Sequence, residues 1–120
     1  MEDYRMEQKA ALETLVEFNE RLVNNMKIIV KELSGKRLED TDIFLKDIVK
    51  ALNWEIEVVN GTLELLNGDK IRLDKEKFND KIVLLSKAIM GNDDHDMAEA
   101  FCDVIPEFEA LGAAAKEVVA

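Results

Sequence analysis

The sequence predicts an all-α protein, a four-helix up-down-up-down bundle with two long N-terminal helices, a shorter third helix and a Pro-kinked fourth. Three observations lead to this prediction. Apolar residues alternate at intervals of three and four along most of the chain. One proline and five glycines in 120 residues leave little room for long loops. The length is typical of one domain, which we assign to residues 1–120.

The first segment is predicted to be helical from about Asp3 to Leu33. Gly35 follows at a position where glycine commonly ends a helix. Asn19 fills a gap in an otherwise apolar face. That face consists of Leu12, Leu15, Leu22, Met26, Ile29 and Leu33.

The second segment begins near Asp40 or Thr41, both suitable N-caps, and ends before Gly68. Asn60-Gly61 inside it would suit a β-hairpin turn. The apolar heptad pattern nevertheless passes through this dipeptide over a length that strands rarely reach, so we predict a helix. Its core-facing residues, here called the inner stripe, are Leu45, Val49, Leu52, Ile56, Val59, Leu63 and Leu66.

The third helix is predicted from about Asp74 to Met90, with Gly91 beyond its end. The fourth begins within residues 92–96 and continues to the C-terminus. Pro106 removes a backbone donor from this helix and clashes with the preceding turn, so the helix either kinks there or breaks into two. The apolar pattern keeps its register across Pro106, which favours a kink.

The composition argues against several classes of protein. A net charge of −10 disfavours a nucleic-acid partner and an anionic membrane surface. The N-terminus lacks the pattern of a signal peptide, and no apolar run is long enough to span a bilayer, so we expect a cytoplasmic protein. Cys102 is the only cysteine, and it is expected to be a small buried residue beside the apolar face of the fourth helix.

Signs of enzymatic chemistry are poor. His95 lies among Asp93, Asp94 and Asp96, which could form a metal site but match a helix N-terminus better. Neither a glycine-rich phosphate loop nor a serine-nucleophile motif is present. We therefore predict a protein that is not an enzyme, with no catalytic residues, no cofactor and no metal.

A second apolar pattern on the second helix exceeds what a bundle needs. It lies on the outward side of the inner stripe and includes the only tryptophan in the chain. It marks either a protein-binding face or a helix buried by two neighbours, and both interpretations stay open. This outer stripe consists of Ala51, Trp54, Val58, Gly61 and Leu65.

Four acidic residues at three- and four-residue spacing follow one side of the fourth helix: Asp96, Glu99, Asp103 and Glu107. Like charges at this spacing destabilise a helix modestly. They form a solvated face, or a face that pairs with lysines of neighbouring helices, or a docking face for a basic segment.

The acidic balance, the four amphipathic segments and the outer stripe together resemble the small all-helical export chaperones of flagellar and type III secretion. This resemblance covers the whole chain loosely and implies a helical protein that holds amphipathic helices of other proteins. We accordingly predict a chaperone- or adaptor-like module that binds another protein or peptide helix. The alternatives are a self-associating homodimer and an acidic neutraliser of a basic protein, similar to an antitoxin or immunity protein.

Overall fold

The structure is a computed structural model that describes the backbone of residues 2–120 and the side chains of residues 5–120. These residues form four α-helices and no strand: α1 (Glu2–Leu33), α2 (Thr41–Asn67), α3 (Lys75–Gly91) and α4 (Asp94–Val119). The bundle is elongated, with extents of 48 × 24 × 19 Å. The predicted all-α fold and all four predicted segments are confirmed.

Local capping accounts for the beginnings of α3 and α4 and for the ends of α1 and α3, whereas the N-cap of α2, Asp40, makes no side-chain cap hydrogen bond. Asp74 accepts a hydrogen bond from the Lys77 amide (3.1 Å), and Asp93 accepts one from the Asp96 amide (3.0 Å). The N-cap interpretation of the acidic cluster is thus confirmed for Asp93. Gly35 follows α1 with φ at 103°, as the sequence predicts. At the end of α3, Asn92 rather than Gly91 takes the left-handed conformation.

Two segments that could have been interrupted are continuous helices. α2 passes through Asn60-Gly61, so the hairpin alternative is wrong. α4 passes through Pro106, so the alternative of two separate helices is also wrong. The kink at Pro106 stays a prediction.

α1 lies between α2 and α4. Thr41 bonds to Glu32 at one end of the α1–α2 pair, and Asn19 bonds to Glu55 near its middle, which makes the pair antiparallel. α4 packs along α1 in the largest interface between helices, so α4 covers the long N-terminal helix.

α3 packs on α4, where the rings of Phe78 and Phe108 lie 5.1 Å apart between centroids. Within the described residues, no Cα of α2 lies within 8 Å of a Cα of α3, so the bundle is open along that edge. α2 therefore takes most of its packing from α1.

The prediction that the inner stripe of α2 faces the core is only half correct. Leu45, Leu52, Val59 and Leu66 are buried, whereas Val49, Ile56 and Leu63 are half-buried. Because α2 packs chiefly against α1 and leaves the α3 side open, its buried face is rotated toward the outer stripe. Three residues outside the inner stripe also belong to this buried face: Ile48, Glu55 and Thr62.

The expectation that Cys102 is buried is wrong, because its side chain is exposed. Phe101, its neighbour, is fully buried in the core. Successive residues of an α-helix are separated by about 100° around the axis. That rotation carries the Cys102 side chain off the apolar face of α4.

Candidate functional site

A groove of about 480 Å³ lies between α1 and α2. Each helix lines it with residues spaced about one turn apart, as expected where two helices present neighbouring faces. α1 contributes Phe18, Arg21, Leu22 and Asn25, and α2 contributes Phe44, Asp47, Ile48, Ala51, Trp54 and Glu55.

An aromatic pair forms part of the groove. The rings of Phe18 and Trp54 lie 5.6 Å apart between centroids and are tilted by 56°, a favourable geometry for an aromatic contact. Phe18 is 46% exposed and Trp54 is 36% exposed, so the pair keeps much of its apolar surface in water. The Arg21 guanidinium lies 5.0 Å from the Phe18 ring centroid, within the range of a cation–π contact.

Glu55 is one of the residues that line the same groove, although it is only 1% exposed. Burial raises the pKa of Glu55 to about 7, and the hydrogen bond from Asn19 opposes this shift. Oε1 accepts that bond from Asn19 Nδ2 at 3.0 Å, whereas the buried Oε2 has no hydrogen-bond partner. The site therefore holds one carboxylate oxygen whose bonding capacity is unused.

Asn19 holds the Glu55 carboxyl in place by linking three helices. Its Nδ2 also donates to the backbone carbonyl of Phe108 on α4, at 3.0 Å. A Cβ added to Gly112 would overlap the Asn19 side-chain amide, so the close approach of α4 requires a glycine there. The asparagine that interrupts the apolar face of α1 is thus the centre of a buried polar network.

The structure distributes the outer stripe over four environments. Ala51 and Trp54 line the groove, and Gly61 is exposed. Leu65 is half-buried, and Val58 is buried, with 9% exposure. Of the two interpretations left open by the sequence, burial by a neighbouring helix applies to Val58, because the rotation of the buried face of α2 brings this residue toward α1.

Sequence reasoning missed most of the groove. Phe18 and Phe44 each precede a buried residue of the predicted apolar faces, so an aromatic residue beside each core face was the available signal. Glu55 had no such signal. Glu57 and Glu64 lie on the same helix and are the same residue type, yet both are exposed.

The acidic side of α4 is shorter than predicted. Asp96, Glu99 and Asp103 are exposed, but Glu107 is buried, with 8% exposure. Glu107 Oε2 lies 3.7 Å from Lys77 Nζ, so this carboxylate forms a salt bridge with a residue of α3. The proposed docking face therefore loses its fourth member.

His95 Nε2 lies 3.7 Å from Glu99 Oε2, one turn along the exposed helix. Among the residues that the structure describes, no group of three or more histidine, cysteine, aspartate or glutamate side chains is arranged to hold a metal ion.

None of the described helices is both long and apolar enough to cross a membrane.

Comparison with known proteins gives one match. The model of a protein family described as a domain of unknown function (DUF8042) matches residues 10–113. This range contains the whole groove between α1 and α2, together with Asn19 and Gly112. No curated protein and no solved structure gives a significant match to the chain.

Proposed function

Since the chain belongs to the DUF8042 family, a domain of unknown function, we propose its function from the geometry of the groove. The chain is a non-enzymatic helical protein-binding module that holds an amphipathic segment of a partner protein between α1 and α2. The observation that carries this proposal is the exposed Phe18–Trp54 pair at an open apolar groove.

The aromatic pair is not needed to complete the core. Leu22 and Ile48, which line the same groove, are 3% and 2% exposed and already belong to the core of the bundle. Phe18 and Trp54 therefore leave apolar area in water that a partner would bury. Exposed aromatic side chains beside apolar surroundings are typical of sites where binding energy is concentrated.

The size of the groove limits what can enter it. A volume of about 480 Å³ lies within the range of about 300–1,000 Å³ for ligand pockets. A few side chains of a partner fit such a space, whereas an entire helix does not. The expected occupant is one face of an amphipathic helix, whose side chains at intervals of three and four residues enter together.

A photo-crosslinking experiment tests the proposal. The photoreactive residue p-benzoylphenylalanine is placed at Phe44 in the groove or, as a control, at the exposed Cys102 on α4. Irradiation in the source organism is expected to join the Phe44 probe to one segment of another protein, located by mass spectrometry. The Cys102 probe is expected to give no such adduct. Trp54→Glu in the Phe44-probe chain should reduce the adduct at least tenfold.

Other outcomes would favour the alternative functions. An adduct with a second copy of the chain as the main product would indicate a homodimer. An adduct from the α4 probe alone, lost in Asp103→Lys, would indicate an acidic neutraliser. Either result, or the absence of an adduct from the groove, would contradict the proposal.

A further inference from the structure

The groove contains a polar atom that the fold itself leaves without a partner. Glu55 Oε2 is buried and accepts no hydrogen bond, whereas Oε1 accepts one from Asn19. A buried polar group normally has a partner, because burial without one costs free energy. Glu55 is also one of the residues that line the open groove, so a donor that enters the groove approaches this residue, although Oε2 itself is covered in the free protein.

We propose that the groove takes a lysine or arginine side chain of the partner's segment. Glu55 binds the ammonium or guanidinium group, and the hydrocarbon stem lies against Phe18, Phe44 and Trp54. This inference rests on the proposed function, which supplies the partner.

The aromatic residues suit a cation as well as its stem. The faces of aromatic rings attract positive charge, and in this groove the Arg21 guanidinium already lies over the ring of Phe18. A carboxylate together with aromatic walls distinguishes a long cationic side chain from a purely apolar one. The net charge of −10 adds a general attraction for basic partners.

The charged groups around Glu55 do not remove the need for a cation. Arg21 on α1 and Asp47 on α2 line the same groove, and neither fills the unpartnered position at Oε2. On the α4 side, the Phe108 backbone carbonyl joins the polar network through Asn19. Since burial raises the pKa of Glu55 to about 7, a bound cation is expected to displace a proton near neutral pH.

Small probes test this inference without the partner. n-Butylammonium chloride represents the end of a lysine side chain, and n-butanol is its neutral counterpart. Binding is followed by Trp54 fluorescence at constant ionic strength. At pH 8 we expect n-butylammonium to bind at least tenfold more tightly than n-butanol. At pH 5.5 this preference should fall at least fivefold, because the carboxyl is protonated there.

Variants assign the preference to one residue. Glu55→Gln is expected to reduce the ratio of the two affinities to about one, whereas Glu57→Gln makes the same chemical change at an exposed position of α2 and should preserve it. Circular dichroism establishes that both variants fold. Equal binding of the two probes at pH 8, or a preference lost in Asp47→Asn and kept in Glu55→Gln, would overturn the inference. The proposed function fails separately, through the crosslinking experiment.

Discussion

Asn19 on α1 donates a hydrogen bond of 3.0 Å to the buried carboxyl of Glu55 on α2. This contact crosses the helix interface behind the groove, and it satisfies only one of the two carboxylate oxygens. The fold thereby holds an acidic group in its interior, at a residue that also lines a surface groove, and leaves one carboxylate oxygen without a partner. Stability and binding are expected to depend on this same pair.

The unfolding free energy should depend on pH through Glu55. Because burial raises the pKa of Glu55 from 4.5 in a model peptide to about 7, the folded state binds the proton more tightly than the unfolded state. The resulting stability is present below pH 4.5 and is lost as the pH rises through 7. Between pH 5 and pH 8.5 the loss should reach about 2–3 kcal/mol, measured by urea denaturation.

Glu55→Gln isolates this contribution, because glutamine keeps an acceptor for Asn19 and carries no charge. We expect the variant to be more stable than the native chain at pH 8.5 and to differ little from it at pH 5. The same change at the exposed Glu57 should shift stability by less than about 0.5 kcal/mol at either pH. A stability difference between native chain and Glu55→Gln that does not change with pH would refute a raised pKa.

Two glycines are expected to respond in opposite ways to alanine. A Cβ at Gly112 overlaps the Asn19 amide, so Gly112→Ala should destabilise the fold by about 1–3 kcal/mol. A Cβ at Gly61, an exposed residue within α2, would meet no atom within 4 Å. Gly61→Ala should therefore stabilise the fold by about 0.5–1 kcal/mol, because alanine has a higher helix propensity than glycine. Thermal or urea unfolding measures both changes.

A double-mutant cycle locates the cause of the Gly112 effect. In an Asn19→Ala background the overlapping amide is gone, so the penalty of Gly112→Ala should largely disappear. A penalty of the same size in both backgrounds would place the cause elsewhere in the α1–α4 interface.

The outer stripe should separate into a structural and a binding part. Val58→Glu buries an unpaired charge and should cost about 3 kcal/mol or more of unfolding free energy. Trp54→Glu changes a side chain that is 36% exposed and should cost about 1 kcal/mol while abolishing partner binding. Chemical denaturation together with the crosslinking yield distinguishes the two. Equal destabilisation by both variants would mean that Trp54 is a core residue.

The helices could be predicted from the sequence because their signals are local. Caps such as Asp74 and Asp93 and the three-four spacing of apolar residues act within a few residues of each boundary. The heptad pattern also outweighed the hairpin signal at Asn60-Gly61. For these features, the neighbours in sequence decide the structure.

The groove depends on packing between helices, which periodicity does not contain. The buried face of α2 is set by its contact with α1 and by the open edge toward α3. Val58 is therefore buried, and Val49 lies at the edge of the buried face. Glu55 occupies a core position because Asn19 and the Phe108 carbonyl make a polar site there. Nothing in the spacing of the glutamates distinguishes it from Glu57.

The binding surface that we propose between α1 and α2 is built around Glu55. Its most direct test is a nuclear magnetic resonance titration of the Glu55 carboxyl carbon, with and without saturating n-butylammonium chloride. We predict a pKa of about 7 in the free protein and a decrease of roughly one unit or more when the cation is bound. A pKa near that of an exposed glutamate in the free protein, or the same pKa with and without the cation, would show that Glu55 does not bind a cation in this groove.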